Sequence, residues 1–111
     1  MTLRQRLEQE LPELIELRRH LHAHPELSGE EHQTAALVAG ELRELGWHVQ
    51  EGVGRTGVLA EIGPELGPLV GLRVDMDALP VEERTGLAYA STRQGVMHAC
   101  GHDIHTCTGL G

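Results

Sequence analysis

Potential metal ligands are concentrated in one short tract near the end of the sequence, from His98 to His105. Thiolate and neutral imidazole, the side chains that zinc prefers and related divalent metals accept, recur there within a few positions. Gly101 allows the backbone to turn between Cys100 and His102, so both side chains can face one ion. The tract predicts a divalent metal site to which it contributes two or three ligands. A His-rich loop without an ion is the alternative.

Two acidic residues, Asp75 and Asp77, directly follow an apolar run. Acids at positions i and i+2 lie on the same side of an extended chain. In α/β proteins, sites form beyond the carboxyl ends of strands. We therefore expect one acid to orient a ligand while the other faces a substrate. A solvated acidic turn is the alternative interpretation.

A second histidine tract comprises His20, His22 and His24. No acid or cysteine accompanies these residues at ligand spacing, so a metal site is not favoured there. We expect His22 to form hydrogen bonds near the end of a helix, where a cation also interacts favourably with the helix dipole. Cys107 is expected to pack as a small apolar residue rather than form a disulfide with Cys100.

The first forty-six residues predict two helices. Thr2 and Gln5 form a capping box, and Pro12 predicts a kink or a restart near Leu11. Pro25 ends this region, since the residue before a proline avoids helical geometry.

The second helix is predicted to begin at Ser28, with Glu31 completing a capping box. Gly46 lies where a left-handed C-terminal cap is expected.

The middle of the chain changes its apolar period. Alternation over 47–49 and 58–62 predicts half-buried strands. The nearly continuous apolar run 69–74 is typical of a strand buried on both faces. Two helices followed by strands predict the α/β class with a layered architecture.

Composition narrows the functional classes. The 111 residues allow one domain at most, and 17 acidic against 9 basic residues disfavour a nucleic-acid partner. No apolar run approaches the roughly 20 residues of a membrane span, so no membrane partner is expected. A polar N-terminus and two cysteines predict a cytoplasmic protein.

The chain has no Phe, one Trp and one Tyr, so a thin aliphatic core is expected. The small, apolar last residues suggest that the chain is a piece of a longer protein.

The sequence resembles the aminoacylase-like metallopeptidases, which include N-acyl-amino-acid amidohydrolases, hippurate hydrolases and auxin–amino-acid hydrolases. The resemblance covers nearly the whole chain with its motifs in order. They are Arg18-Arg19-His20-Leu21-His22, Pro25-Glu26-Leu27-Ser28 with Glu31, Arg55-Thr56-Gly57, Leu72-Arg73-Val74-Asp75-Met76-Asp77-Ala78-Leu79-Pro80, Glu83, Thr85-Gly86-Leu87, and Met97-His98-Ala99-Cys100-Gly101-His102-Asp103 with His105-Thr106.

The resemblance implies that Cys100 and His102 are metal ligands. It also implies that Asp75 is the acid of the catalytic site, with Asp77 beside it in the network around the metal. Sister branches have a His at the place of Asp75, so the division of roles between the two acids stays open. Asp103 and His105 are expected to orient the ligands.

For the chain as a whole, the resemblance implies that residues 1–111 are the N-terminal part of a layered α/β/α metallopeptidase catalytic domain. The remainder of that domain and a lid or dimerisation domain would lie outside these residues. The implied reaction is metal-dependent hydrolysis of the amide bond in small N-acyl amino acids, with manganese, zinc, nickel or cobalt as the metal. The general-base glutamate is expected beyond residue 111, so the chain alone is expected to be nearly inactive. Homo-oligomerisation of a longer protein stays open.

The competing interpretation is a small non-catalytic metal-binding module. It predicts a closed sphere of four ligands, His98, Cys100, His102 and His105. The enzyme is preferred because a structural site does not explain the acids at positions 75 and 77.

Overall fold

The computed structural model describes residues 1–111 and contains three helices and one small antiparallel sheet. The elements in chain order are α1 Leu3–Ala23, α2 His32–Glu44, β1 His48–Val53, β2 Gly57–Glu61 and α3 His102–Leu110. Helix α1 packs against α3, and α2 packs against the sheet and α3. The predicted α/β class is confirmed. None of the three helices combines the length and apolar character of a membrane span.

Helix α1 begins with the predicted capping box. The backbone N–H of Gln5 donates to Thr2 Oγ1, and the Gln5 side chain accepts from the Thr2 backbone N–H. The helix continues through Pro12 without interruption, so the restart predicted near Leu11 is wrong. Pro12 has no backbone N–H, so the helix lacks one hydrogen bond there. The hydrogen bonds of the turns before and after Pro12 nevertheless keep the helix continuous. The helix ends just before Pro25, as predicted.

Helix α2 begins later than the sequence predicts, and its cap comes from another residue. The Glu26 carboxylate accepts hydrogen bonds from the backbone N–H groups of Gln33 at 3.1 Å and Thr34 at 2.6 Å. The predicted capping box of Ser28 and Glu31 is therefore wrong, because no side chain at those positions caps the helix. A carboxylate from the preceding segment satisfies the free N–H groups instead.

The Glu26 cap gives a testable pH dependence. Burial alone would raise the pKa of Glu26, but hydrogen bonds from Thr34 and Gln33 outweigh it and hold that pKa below its usual value. Such a group stabilises the fold above its unfolded pKa of about 4.3, and its contribution is lost as pH falls through the folded pKa. We expect Glu26→Ala to lower the free energy of unfolding by about 0.5–2 kcal/mol at neutral pH.

Urea denaturation of both proteins, at neutral pH and in acid below the folded pKa, measures this effect. The difference between them should shrink in acid. A difference that stays the same in acid would show that the Glu26 carboxylate is not the cap.

The C-terminus of α2 is closed by local hydrogen bonds. Gly46 has φ +89°, in the left-handed region, as the sequence predicts. Its N–H donates to the Arg43 carbonyl at 3.0 Å, and the N–H of Trp47 donates to the Leu42 carbonyl at 3.0 Å. These two bonds form a Schellman motif that satisfies the last carbonyls of the helix.

The segment 69–74 differs from its prediction as a buried strand. It forms no strand, and its side chains lie in solvent, with Leu69 90%, Val70 91% and Leu72 79% exposed. A strand is defined by hydrogen bonds to a neighbour, and no other segment of the chain pairs with these residues. An apolar run favours a strand, but a strand also needs a neighbouring segment to pair with. The run itself does not specify that segment.

The core is small and mostly aliphatic, as expected. Only 14 of 111 residues are buried, and the apolar ones are Leu21, Ala35, Ala39, Ala78, Val96 and Cys107.

Backbone hydrogen bonds hold the acidic segment within this core. The Ala78 N–H donates to the Glu26 carbonyl at 2.8 Å, and Leu79 and Met97 exchange two hydrogen bonds. The residues around Asp77 are thereby fixed between the segment that follows α1 and the loop that precedes α3.

Candidate metal centre

His102 is held in one orientation by Asp77. Its Nδ1 lies 3.0 Å from the Asp77 carbonyl oxygen and 2.9 Å from Oδ1 of the same residue. A backbone carbonyl only accepts hydrogen bonds, so Nδ1 carries the hydrogen. In the neutral ring, Nε2 then has a free lone pair, and it lies 3.6 Å from Asp75 Oδ2. This is how a metal-binding imidazole is usually oriented by an outer partner.

Asp75, His102 and His105 form a group of possible metal ligands. One ligand atom from each lies within 4.8 Å of the others. His105 Nδ1 donates to Asp75 Oδ1 at 3.2 Å, and this hydrogen bond lowers the pKa of Asp75. Asp75 is thereby kept ionised, and a carboxylate with two imidazoles is a donor set that suits zinc and related divalent metals. The residues fit a divalent ion.

Both predicted acids therefore lie beside His102, whereas Cys100 is placed differently. Cys100 is exposed and is not part of the group formed with Asp75. It precedes Gly101, which caps α3 and has φ +101°. Since this conformation favours glycine, the backbone turn predicted between Cys100 and His102 is present.

Position 98 carries a histidine that the metal group does not include. His98 is buried, and neither of its ring nitrogens has a hydrogen-bond partner. Burial lowers the pKa of His98. The structure thus does not bring together the four side chains that a closed structural site would require.

The histidine tract of α1 forms no metal group but contributes a buried polar cluster. His22 Nδ1 lies 2.8 Å from Asp103 Oδ2, and His22 Nε2 lies 2.9 Å from Glu83 Oε1. Arg18 Nε donates to the same Asp103 oxygen at 3.0 Å. Hydrogen bonding by His22 was expected, but its carboxylate partners were not. Asp103 and Glu83 lie 81 and 61 residues away in sequence, and no local pattern reports such pairs.

The two cysteines should react very differently with thiol reagents. Cys107 is buried in α3, as expected, and burial raises the pKa of its thiol to about 11. Cys100 is exposed. Because the thiolate is the reactive form, we expect iodoacetamide to modify Cys100 alone in the folded chain and both thiols in denaturant. Mass spectrometry of the alkylated peptides measures this, and rapid labelling of Cys107 in the folded chain would contradict the packing.

The α/β fold and the imidazole–carboxylate group are typical of metal-dependent hydrolases. Residues 71–111 match the model of Peptidase family M20/M25/M40. The chain is thus related to the M20 peptidases, and the predicted resemblance to aminoacylase-like metallopeptidases is confirmed.

Individual relatives of the chain are consistent with this match to the M20 family. The N-acetyl-L-cysteine deacetylase of Bacillus subtilis is 53% identical over 100 residues, which are 89% of this chain and 24% of that protein. The hippurate hydrolase of Campylobacter jejuni is 45% identical over 104 residues, 86% of this chain and 27% of that protein. The crystal structure of the Bacillus subtilis YXEP protein, described as a dinuclear metal binding peptidase from the M20 family, matches with a TM-score of 0.85 and 44% identity. That match covers 93% of this chain and 29% of the other. The chain spans about a quarter of the length of the curated relatives it matches.

Proposed function

We propose that the chain is the N-terminal part of the catalytic domain of a metal-dependent amidohydrolase. In this proposal, residues 1–111 supply one half of a metal site that cleaves N-acyl amino acids. The observation that carries the proposal is the orientation of His102, whose Nδ1 is occupied by Asp77 while Nε2 lies near Asp75. The relatives named for amidohydrolase and hippurate hydrolase activities support the substrate class.

We assign Cys100 and His102 as metal ligands, with Asp75 beside them. A bound divalent ion supplies an activated water and polarises the scissile carbonyl. His102 would bind through Nε2, since Nδ1 is used by Asp77. Thiolate and imidazole suit zinc, imidazole suits nickel and carboxylate suits manganese, so the mixed donor set does not select one among manganese, zinc, nickel and cobalt.

The two acids have distinct tasks in this proposal. Asp77 holds His102 as a hydrogen-bond acceptor and so fixes which ring nitrogen is free. Asp75, ionised and hydrogen-bonded to His105, faces the reacting groups. This division is the one that we propose for the roles that the sequence leaves open between the two acids.

The proposal places the protein in a reducing compartment such as the cytoplasm, because Cys100 must remain a free thiol to bind a metal. Its binding partner is a small N-acyl amino acid. Cys100 and His102 alone do not complete the usual four-ligand sphere, so the isolated chain is expected to show little or no turnover.

A chimera tests the proposal. The 111 residues replace the matching segment of the Campylobacter jejuni hippurate hydrolase, to which they are 45% identical. We expect metal-dependent hydrolysis of hippurate by the chimera. Cys100→Ser should lower this activity by at least about 100-fold, more than the loss of an outer partner costs. Cys107→Ala serves as the matched cysteine control and should retain activity.

Two results would overturn the proposal. A folded chimera that hydrolyses no N-acyl amino acid with any of the four metals would exclude the hydrolase assignment. Robust metal-dependent turnover by the isolated chain would show that the 111 residues already form a complete site.

A further inference from the structure

A buried cluster joins the end of α1 to the start of α3. Arg18 and His22 lie one turn apart on α1, and both contact Oδ2 of Asp103, at 3.0 and 2.8 Å. Asp103 is only 1% exposed, and its other oxygen, Oδ1, is buried without a partner. Both hydrogen bonds that hold this carboxylate from outside α3 therefore come from α1.

His22 connects two carboxylates rather than one. Its Nε2 lies 2.9 Å from Glu83 Oε1, and this pair is as buried as the pair with Asp103. Burial alone would raise the pKa values of Asp103 and Glu83, but hydrogen bonds outweigh it and lower both. A neutral imidazole has a single N–H, so His22 satisfies both carboxylates only when both ring nitrogens carry hydrogen. A glutamine, which carries no charge, cannot reproduce this double contact at the same two ring positions.

Asp103 lies in the first turn of α3, directly after His102 and two residues before His105. Successive helical residues point in different directions around the axis, so Asp103 faces α1 while His102 reaches Asp77. Any rotation of α3 that moved Asp103 away from His22 would also move His102 from its 2.9 Å contact with Asp77.

We propose that His22 is a positioning residue for the metal site. With Arg18, it holds Asp103 and thereby fixes the rotation of α3 that presents His102 and His105 to Asp75. This inference rests on the proposed function, because the metal site is the feature that it positions.

The test compares His22→Gln with a control that loses a buried hydrogen bond elsewhere. Thr56 is buried and donates to Glu31 at 3.1 Å, outside the cluster, so Thr56→Val is a suitable control. Co²⁺ binding by the 111-residue chain is titrated by its visible absorption, and urea denaturation measures the stability of each variant. We expect His22→Gln to weaken Co²⁺ binding by about 10–100-fold, the usual effect of removing an outer partner of a metal site. Thr56→Val should leave Co²⁺ affinity unchanged.

A second measurement needs no metal. The ring N–H signal of His102, hydrogen-bonded to Asp77, is followed by NMR in the metal-free chain. His22→Gln should shift it, and Thr56→Val should not. Should His22→Gln fail to fold, Arg18→Gln removes one donor to Asp103 from a partly exposed side chain and is expected to act in the same direction.

The outcomes separate this inference from the proposed function. Wild-type chain that binds no Co²⁺ overturns the metal site, and the NMR signal still decides whether His22 positions His102. Equal effects of His22→Gln and Thr56→Val on both readouts would overturn the positioning role, because Co²⁺ affinity would then follow stability alone.

Discussion

Replacing Asp103 by alanine is expected to lower the free energy of unfolding by about 3–5 kcal/mol, the usual cost of breaking a buried ion pair from one side. The Asp103 side chain is 1% exposed and is the shared partner of Arg18 and His22. Removing it leaves Arg18 Nε and His22 Nδ1 without this acceptor, and the burial of His22 prevents water from replacing the lost oxygen there. Urea denaturation monitored by circular dichroism measures the loss.

An exposed ion pair provides the control. Arg43 and Glu51 are 3.0 Å apart, but about half of each side chain remains in solvent. Glu51→Ala should therefore cost less than about 1 kcal/mol. If Asp103→Ala cost no more than Glu51→Ala, the buried cluster would not stabilise the packing of α1 against α3.

Replacing Asp77 by alanine should weaken metal binding by about 10–100-fold, as loss of an outer partner generally does. Nδ1 of His102 contacts both the Asp77 carboxylate and the Asp77 carbonyl oxygen, and alanine keeps only the carbonyl, which holds the ring beside Asp75 less firmly. Isothermal titration with Zn²⁺ measures the affinity. Glu65→Ala, at an exposed position, removes the same charge and should leave the affinity unchanged.

Asp77→Asn distinguishes orientation from charge. The asparagine carbonyl oxygen still accepts a hydrogen bond from Nδ1, so this variant should recover part of the affinity lost in Asp77→Ala. Identical affinities for Asp77→Ala and wild type would show that the Asp77 carboxylate does not orient His102.

Local features of the fold were predictable because their determinants are adjacent in sequence. The capping box at Thr2 and the left-handed cap at Gly46 each depend on residues within a few positions, and both are present. The cap of α2 was mispredicted because the acceptor of its free N–H groups, the Glu26 carboxylate, lies outside the Ser28 pattern. Likewise, the run 69–74 shows apolar character, but its pairing depends on a neighbour that the sequence pattern does not specify.

The candidate site was predictable in residue type and not in geometry. The Cys and His side chains around His102 indicated a metal, and the structure brings Asp75 and Asp77 against His102. Sequence alone did not indicate that His105 contacts Asp75, since the two residues lie thirty positions apart in the chain. For the same reason, local sequence patterns could not predict the carboxylate partners of His22, which are distant in the chain.

Cobalt titration of the 111-residue chain tests the central claim most directly, because thiolate bound to Co²⁺ produces a charge-transfer absorption in the near ultraviolet. We predict that this band develops in the wild-type chain and in Cys107→Ala and that it is lost in Cys100→Ser, since the exposed Cys100 is the proposed sulfur ligand beside His102. A wild-type chain without the band, or a band that persists in Cys100→Ser, would contradict a metal site built from Cys100 and His102.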